Sequence, residues 1–563
     1  MINPPDDKRL VRIAACATLL IPAWLMLWSA WDMWLTYSPT PWADQWENVY
    51  GWRDGPRDGW LKYLFSQHNE HRIFFPRLVF LADWKWFQGR DVLNLVAIGL
   101  IQLAGAAFFI KVADVRKLAP LGLLALAVAI SLIFCMIQWE NLFWGFQVQF
   151  VGVYAAAAWA IWLFCRAGEG DEGVRWGPMA GALTLLVIAT FSLANGVFAG
   201  AVMVALGLAT RRPSAAIMTV GAATVVLLAI YLHDYHRVEY HAPPSLALHH
   251  PGRFATYVCA YLGGIWWPGR VTNAVFTGLI GIASSAGMFY VVARKGAHDA
   301  ARMSLLGVVL FVGAGAATTS FGRLNFGLAQ SMAPRYMTPT AYFWGAQALF
   351  WALTFQHSPR PILRHSVSVL LMLLLVRILM LQSFGETQVI STRGGTLVGT
   401  SALLGDIDDP DALRNLFPNP GYILEIAPFA RATHVALFAD PPVATVGAPF
   451  VHAVAAKDTV CLGYFDTLGP APEGRAWRAM GWGWDRKARR AFDRIVLVDG
   501  SGTVIGIGIS GVPRPDVKKA RPKVSQTSGW SAVLNHGAGA EVTAYGITAA
   551  GPACELGRKT WPQ

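Results

Sequence analysis

Long apolar segments alternate with polar loops over the first two thirds of the chain. Most segments hold about 17–22 hydrophobic residues, and roughly 20 such residues in a helix span the hydrocarbon core of a bilayer. The pattern therefore predicts an α-helical polytopic membrane domain over residues 1–383 with about eleven transmembrane helices. The predicted helices are 13–34, 93–112, 118–137, 148–165, 178–193, 196–210, 214–232, 271–293, 303–321, 338–356 and 364–382.

The charge of the loops predicts how these helices are oriented. One set of alternate loops is short and rich in Lys and Arg, which is typical of the cytoplasmic side. The first segment lacks a small-residue cleavage site, so we expect it to be retained as a helix. We predict a multi-pass protein of a bacterial inner membrane with a cytoplasmic N-terminus and an extracytoplasmic C-terminal region. The predicted outer loops are 35–92, 138–147, 194–195, 233–270 and 322–337.

The pattern changes after residue 383. Short runs of alternating apolar residues are separated by Gly and Pro, and Asp499-Gly500 lies between two of them as in a tight hairpin. Residues 384–563 are therefore predicted to form an extracytoplasmic β-sandwich-like domain. Cys461 and Cys554 are the only cysteines of this region. The sequence leaves open whether they form a disulfide.

Composition supports the membrane assignment and excludes one partner. Hydrophobic residues make up 54% of the chain and charged residues 14%, whereas soluble domains carry about 25% charged residues. The net charge of +12 is spread over short loops rather than concentrated in one run. The lipid bilayer is thus a predicted partner, and nucleic acid is not.

The first predicted outer loop carries acidic residues suited to base catalysis. Asp44 and Glu47 are three positions apart, so one helical turn would place both on the same face. A carboxylate within hydrogen-bond reach of a sugar hydroxyl can deprotonate it during attack on an anomeric carbon. Asp44 is the predicted base and Glu47 the second choice, with helix capping by Asp44 as the competing interpretation.

A second group in this loop combines His, Glu and Arg. Arg72 and Arg77 are predicted to bind a donor phosphate, because a guanidinium matches phosphate oxygens with a planar fork. His68, Glu70 and His71 are predicted to bind sugar or acceptor hydroxyls. The same three side chains are weak candidates for a divalent metal, although their spacing is no known zinc signature. The sequence identifies no other cofactor and leaves metal dependence open.

Other outer loops contribute further candidates. Arg323, Arg335 and Tyr336 lie next to apolar segments and are predicted to bind a lipid-linked phosphate, with interfacial snorkelling as the alternative. Polar and aromatic residues of two more loops are predicted to orient sugar hydroxyls. These residues are Glu140, Asn141, Trp144 and Asn195.

With these residues, the layout resembles the GT-C superfamily of polyprenyl-phosphate-dependent membrane glycosyltransferases. Members have many transmembrane helices and an acidic catalytic residue early in a large first outer loop, where this chain carries Asp44 and Glu47. Many members show an adjacent acidic pair, whereas Gln45 and Trp46 intervene here. The resemblance implies inverting transfer of a sugar from a polyprenyl-phosphate donor to an envelope glycan or glycolipid, and suggests that the β-rich tail binds carbohydrate.

Other classes of function remain open from the sequence. A flippase or transporter of lipid-linked sugars needs polar residues deep within its helices, but segments 118–137, 178–193 and 214–232 carry no charge. An envelope glycan polymerase would share most features of the predicted transferase. An assembly protein that acts through its tail would leave the polar outer loops without a role.

Overall fold

The chain folds into two compact units. The computed structural model describes residues 7–169, 173–296, 299–455, 461–472, 476–548 and 551–562. The first unit comprises Met1–Met33, Trp60–Val79 and Asn94–Glu386, and the second comprises Trp34–Gly59, Phe80–Leu93 and Thr387–Gln563. The chain is therefore not divided at residue 383 alone, because parts of loop 35–92 pack with the C-terminal region.

Helices build the first unit and part of the second. In chain order they are α1 (Asp7–Ala17), α2 (Leu20–Thr36), α3 (Trp46–Asp58), α4 (Trp60–Phe65), α5 (Phe74–Phe87), α6 (Val92–Ala113), α7 (Pro120–Phe134), α8 (Trp139–Phe143), α9 (Val148–Ala167), α10 (Trp176–Thr190), α11 (Phe198–Ala209), α12 (Ser214–Leu232), α13 (Pro244–His249), α14 (Pro251–Gly263), α15 (Val271–Lys295), α16 (Ala300–Arg323), α17 (Met337–Phe355), α18 (Pro361–Gly405), α19 (Pro410–Arg414), α20 (Pro420–Ala432) and α21 (Pro515–Ala520).

Eight helical segments of the described chain are long and apolar enough to cross a membrane. They are Val11–Thr36, Val92–Ala113, Pro120–Phe143, Gly145–Ala167, Ser214–Leu232, Val271–Arg294, Ala300–Phe326 and Pro361–Gly405. Each of the eleven predicted segments coincides with a helix, but α10 and α11 are shorter and α17 is not among the eight. The predicted α-helical domain with helices of membrane-spanning length and apolarity is thus confirmed, whereas the number of spans and their orientation stay predictions.

Apolar helices of the first unit differ in how much of their surface the rest of the protein covers. All residues of α7 from Leu121 to Phe134 are buried, so this helix forms the centre of the unit. By contrast, only 22% of the apolar window is buried in α12 and in α15. A helix that is apolar on all sides but largely uncovered is typical of one that faces lipid.

The helical part of the second unit has its own core. Trp46 and Val49 of α3 are fully buried and pack with Ile423 and Ile426 of α20. The Asn419 side chain accepts a hydrogen bond from the backbone N–H of Gly421 and caps the start of α20. This packing joins residues near position 46 to residues near position 425 within one unit.

Strands form one small hairpin and one large sheet. The hairpin pairs β1 (Gln67–His68) with β2 (His71–Arg72). The sheet contains β3 (Val454–Ala455), β4 (Cys461–Pro470), β5 (Trp477–Asp485), β6 (Arg494–Asp499), β7 (Val504–Val512), β8 (Gly529–Leu534), β9 (Glu541–Ile547) and β10 (Ala553–Thr560). Its strand order is β3-β10-β9-β6-β7-β8-β5-β4, and all pairs except β3 with β10 are antiparallel.

The large sheet is nearly closed. Strand β10 packs against β4, although the two lie near opposite ends of the strand order. A disulfide joins Cys461 of β4 to Cys554 of β10, with Cα atoms 6.5 Å apart and both residues fully buried. Trp530 and Phe465 fill the interior, and a Cβ on Gly481 would lie 2.4 Å from the Trp530 ring. A β-rich C-terminal domain is thus confirmed, and its strands form a single sheet that begins at Val454. The predicted β-rich region was too long at its start, because residues 384–405 continue α18 and residues 410–432 contain α19 and α20.

Candidate functional site

A short hairpin presents two ionisable side chains in the first unit. β1 and β2 are joined through Asn69 and Glu70, and Asn69 has a φ of 47°. Asn adopts this left-handed conformation more readily than most residues. The turn allows consecutive residues Glu70 and His71 to contact the same cluster of side chains.

Glu70 lies at the centre of three charged or polar side chains. Arg323 Nη2 donates a hydrogen bond of 2.9 Å to Glu70 Oε1. His71 Nε2 lies 3.4 Å from Oε1, and His241 Nε2 lies 3.4 Å from Oε2. Among the described residues, neither Glu70 Oε2 nor His241 Nε2 makes a hydrogen bond of good geometry, and both atoms are buried. The cluster therefore retains hydrogen-bonding capacity for a bound molecule.

The tautomer of His71 follows from its second nitrogen. The backbone N–H of Ala194 lies 3.3 Å from His71 Nδ1 and donates to it. When the ring is neutral, its proton must then be on Nε2, which points to Glu70. His71 thus acts as a hydrogen-bond donor toward the carboxylate rather than as a base.

Two opposing effects set the ionisation of this cluster. Burial raises the pKa of Glu70, but His71, Arg323 and His241 lower it, and the resulting pKa is about 2. Burial lowers the pKa of His71 to about 4, against the opposing effect of Glu70. With a pKa of about 4, His71 is neutral at pH 7, so it favours the ionised form of Glu70 as a hydrogen-bond donor, whereas Arg323 favours it with its positive charge.

The cluster forms one wall of a cavity of about 230 Å³. This volume is slightly below the ~300–1,000 Å³ of pockets for drug-sized ligands, so it suits one small polar group. Polar walls are supplied by Asn195, Tyr261, Thr318, Thr319 and Tyr336, in addition to the charged cluster. The cavity is thus lined by groups that hydrogen-bond hydroxyl or phosphate oxygens.

Asn195 reaches the cavity because of its neighbour Gly196. A Cβ on Gly196 would lie 1.9 Å from the Ala189 carbonyl oxygen, so only glycine allows the turn to pack against α10. The Asn195 amide then donates a 3.3 Å hydrogen bond to the Tyr154 hydroxyl. This residue was predicted as a sugar-binding candidate, and the structure brings it to the same cavity as Glu70.

A second ion pair lies beside the first. Arg335 Nη1 contacts Glu140 Oε2 at 3.2 Å, and its guanidinium lies 5.3 Å from the centre of the Tyr336 ring. The Asn141 amide donates to the Arg335 carbonyl oxygen at 2.8 Å. Since Tyr336 also lines the Glu70 cavity, this pair adjoins the cavity and shares a wall with it.

Arg72 and Arg77 serve a different purpose from the predicted one. Arg72 donates to the carbonyl oxygens of Phe65, Tyr231 and His233, and Arg77 donates to those of Tyr63 and Ser66. Both are buried, and neither lines the Glu70 cavity. They hold the end of α4 and the residues after α12 in place, so we remove them from the proposed donor-phosphate set.

His68 and Trp144 each pack against Phe146, and His68 pairs with His71 across the β1–β2 hairpin. The Phe146 ring lies 5.1 Å from His68 and 5.7 Å from Trp144, measured between ring centres. In the described part of the chain, no group of three His, Cys, Asp or Glu side chains is placed to hold a metal ion. The side chains of His68, Glu70 and His71 are therefore not arranged to bind one metal ion together in this structure.

The acidic pair of the first outer loop belongs to the second unit. Asp44 lies in the short helix Ala43–Gln45, and Glu47 lies in the first turn of α3. Both are half-buried, whereas every residue that lines the Glu70 cavity belongs to the first unit. Asp44 and Glu47 are thus a separate candidate group.

Aromatic residues surround this acidic pair. Burial raises the pKa of Tyr422, and the nearby carboxylates of Glu47 and Asp44 raise it further. Tyr50 stacks on Tyr422 at 4.4 Å. Ala43 has a φ of 48°, an unfavourable value for alanine that precedes Asp44 directly. The acidic pair thus lies beside aromatic rings that stack on one another.

No protein-family model matches the sequence, and a search of the curated proteins finds no match. The function therefore has to be inferred from the residues themselves. Four polar residues of the cavity were not predicted as site residues, namely His241, Tyr261, Thr318 and Thr319. His241 lies in a loop with several other histidines, and that excess was the one available signal.

Acid should destabilise the first unit through His71. The pKa of His71 is about 4 in the folded protein, whereas an imidazole in the unfolded chain has a pKa of about 6.5. Between pH 6.5 and pH 4 the unfolded chain therefore binds a proton that the folded protein does not, which favours unfolding. Glu70 adds a further loss between about pH 4.5 and 2, because its folded-state pKa is lowered. We expect the melting temperature to fall from pH 6.5 to pH 4, and to fall less steeply in His71→Gln. An exposed-histidine control, His249→Gln, should follow the wild type, and equal slopes in all three would contradict the assignment.

Proposed function

We propose that the chain is a membrane-embedded glycosyltransferase that moves a sugar from a polyprenyl-phosphate donor to an envelope glycan or glycolipid. One observation carries the proposal. A small polar cavity at one end of membrane-length helices combines Arg323, a carboxylate with unused acceptor capacity and several hydroxyl and amide groups. Such groups match a sugar phosphate.

The distribution of charge favours chemistry at one face over transport through the bundle. Residues 303–322 of α16 carry no charge, and α7 and α12 carry none at all. A pathway for a charged lipid-linked sugar would need polar groups along its length. In the proposed topology, about eleven helices cross a bacterial inner membrane, the N-terminus is cytoplasmic, and the Glu70 cavity and the β-rich domain are extracytoplasmic.

Different carboxylates suit different roles. Glu70 has a pKa of about 2 and is a weak base, so it would orient Arg323 and sugar hydroxyls. Asp44 remains the proposed base and Glu47 the second choice, since both are half-exposed beside Tyr50 and Tyr422. The base would take the proton of the acceptor hydroxyl. The hydroxyl oxygen would bond to the anomeric carbon with inversion while the bond to the donor phosphate breaks.

Arginines would stabilise the phosphate that leaves. Arg323 and Arg335 each bind one carboxylate, and a guanidinium has five N–H donors. Tyr336 lies between the two sites and would contact the same phosphate. Positioned cations that offset the charge of a leaving phosphate can lower the barrier without a metal.

The β-rich domain would bind carbohydrate through aromatic side chains. Trp477 and Trp561 lie 4.8 Å apart, and His536 stacks on Trp561 at 4.3 Å. Aromatic faces at a partly exposed surface are suited to stack on sugar rings. A carbohydrate-binding module is therefore the role we propose for the β-rich part of residues 384–563.

Linkage analysis of envelope glycans tests the proposed transferase. In a deletion strain, wild-type protein should restore one sugar linkage, and Asp44→Asn should restore at least 100-fold less, because a positioned base contributes about 10²–10⁴-fold. Asp58→Asn removes a charge from an exposed position of the same loop and should restore the linkage fully. Protein levels in the membrane are compared by immunoblot.

Other outcomes would show which part of the proposed function is incorrect. Full activity of Asp44→Asn together with loss in Glu47→Gln would move the base to Glu47. A deletion strain with an unchanged linkage profile but accumulated lipid-linked sugar on the cytoplasmic side would favour the flippase. A deletion strain with shorter chains of unchanged linkage would favour the polymerase.

A further inference from the structure

A second cavity lies at the other end of the helices from the Glu70 cavity. Helix α17 connects the two, because Tyr336 before it lines the first and Gln356 after it lines the second. These residues are 20 positions apart, and a helical rise of 1.5 Å per residue places them about 30 Å apart. That distance equals the thickness of the hydrocarbon core of a bilayer, so the cavities face opposite membrane surfaces.

The second cavity, of about 930 Å³, is lined by basic residues from three separate segments. Arg12 comes from α1, Arg116 and Lys117 from the connection before α7, and Arg364 from α18. No Asp or Glu is among the described residues that line it. Basic residues in cytoplasmic loops are expected from membrane topology alone. Topology does not, however, require basic residues of different segments to line the same cavity.

Pairing distinguishes these cations from others nearby. Arg166 and Arg302 line an adjacent cavity, and each binds a carboxylate, at 2.5 Å and 2.7 Å respectively. Lys117 Nζ also binds a carboxylate, that of Asp114, at 2.8 Å. Among the side chains that the structure describes, the other three cations of the second cavity, Arg12, Arg116 and Arg364, lie within 4 Å of no carboxylate. Their charge is thus available to an anion.

The start of a helix adds to the positive potential. Arg364 and His365 lie in the first turn of α18, which contains no acidic residue. The N-terminus of a helix carries a partial positive charge, so cations there are unfavourable unless an anion is near. A bound anion would relieve this repulsion.

Apolar surface beside the cavity indicates the source of the anion. Val11 of α1 is 56% exposed, and Ile362 and Val369 of α18 are 81% and 59% exposed. A soluble phosphate ion would leave this apolar surface exposed to water, whereas the acyl chains of a lipid would cover it. We propose that the cavity binds the phosphate head group of an anionic membrane lipid. This site is independent of the Glu70 cavity and of the proposed transferase.

Native mass spectrometry of the full chain, released from lipid nanodiscs, tests this proposal. The wild type should retain phosphatidylglycerol or cardiolipin in preference to phosphatidylcholine. The triple variant R12Q/R116Q/R364Q should bind the anionic lipids at least tenfold more weakly, since each basic residue near a membrane contributes severalfold to binding. The matched control R175Q/R211Q/R294Q removes the same charge from exposed positions outside the cavity and should bind as the wild type does.

Three results would overturn the proposal. An equal loss of anionic-lipid binding in both triple variants would show that binding depends on the net charge of the protein and not on the cavity. Unchanged binding in R12Q/R116Q/R364Q would place the lipid elsewhere. Protection against heat by millimolar inorganic phosphate in detergent, with no additional effect of phosphatidylglycerol, would identify a soluble anion as the ligand. A folded state of each variant is checked by gel filtration and by its melting temperature.

Discussion

Arg323→Gln is expected to lower sugar transfer about 100-fold or more. Loss of one positioned donor to a developing negative charge costs about 10²–10³-fold in kcat. Glu70→Gln should also lose transfer, but for a second reason, because it leaves the partly buried Arg323 without its carboxylate. Breaking such a pair destabilises by roughly 3 kcal/mol. Transfer is measured in proteoliposomes with a lipid-linked donor, and stability is measured by thermal unfolding.

The double variant E70Q/R323Q separates the two effects. Removing both charges together leaves no unpaired ion, so stability should return close to that of the wild type while transfer stays lost. Recovery of transfer in the double variant would show that the pair has only a structural role. The control Arg302→Gln affects an arginine at the opposite end of the same helix, where it is paired with the carboxylate of Asp299, and this variant should retain transfer.

Removal of the Cys461–Cys554 disulfide is expected to cost the β-rich domain roughly 4 kcal/mol. The bridge closes a loop of 93 residues, and cross-links over loops of this length restrict the unfolded chain strongly. The variant C461S/C554S should therefore be cleaved by protease at lower urea concentration than the wild type, as followed by immunoblot of the C-terminal fragment.

A cysteine outside the bridge provides the control. Cys16→Ser changes an exposed free thiol and should leave the protease midpoint unchanged. Equal midpoints for C461S/C554S and the wild type would mean that the bridge contributes nothing. A disulfide also requires an oxidising compartment, so resistance of the wild-type bridge to thiol labelling in cells would support the extracytoplasmic location.

Local patterns were sufficient to predict the helices but not the cavity. Each helix can be predicted from its own apolar segment, because the length and the hydrophobicity of that segment are enough to identify it. Glu70 and Arg323 are 253 positions apart, and nothing in either local pattern indicates that they pair. Arg72 shows the same limit, since its carbonyl partners Tyr231 and His233 become neighbours only when α12 packs beside the hairpin.

The β-rich domain shows a similar division. Alternating runs and the Asp499-Gly500 turn were enough to predict strands, and β6 and β7 do pair around that turn. The order of the strands was not predictable, because β5 pairs with β8 across about 50 intervening residues. Only the folded sheet brings Cys461 next to Cys554.

The near closure of the sheet also determines how the domain can meet another chain. An open sheet ends in strands whose backbone N–H and C=O groups can accept a further strand, which leads to aggregation or to strand addition by a partner. Here β4 and β10 pack against each other, and the short β3 pairs with β10. Recognition by this domain must therefore depend on side chains and loops, and a high local concentration of the protein should not drive edge-to-edge polymerisation.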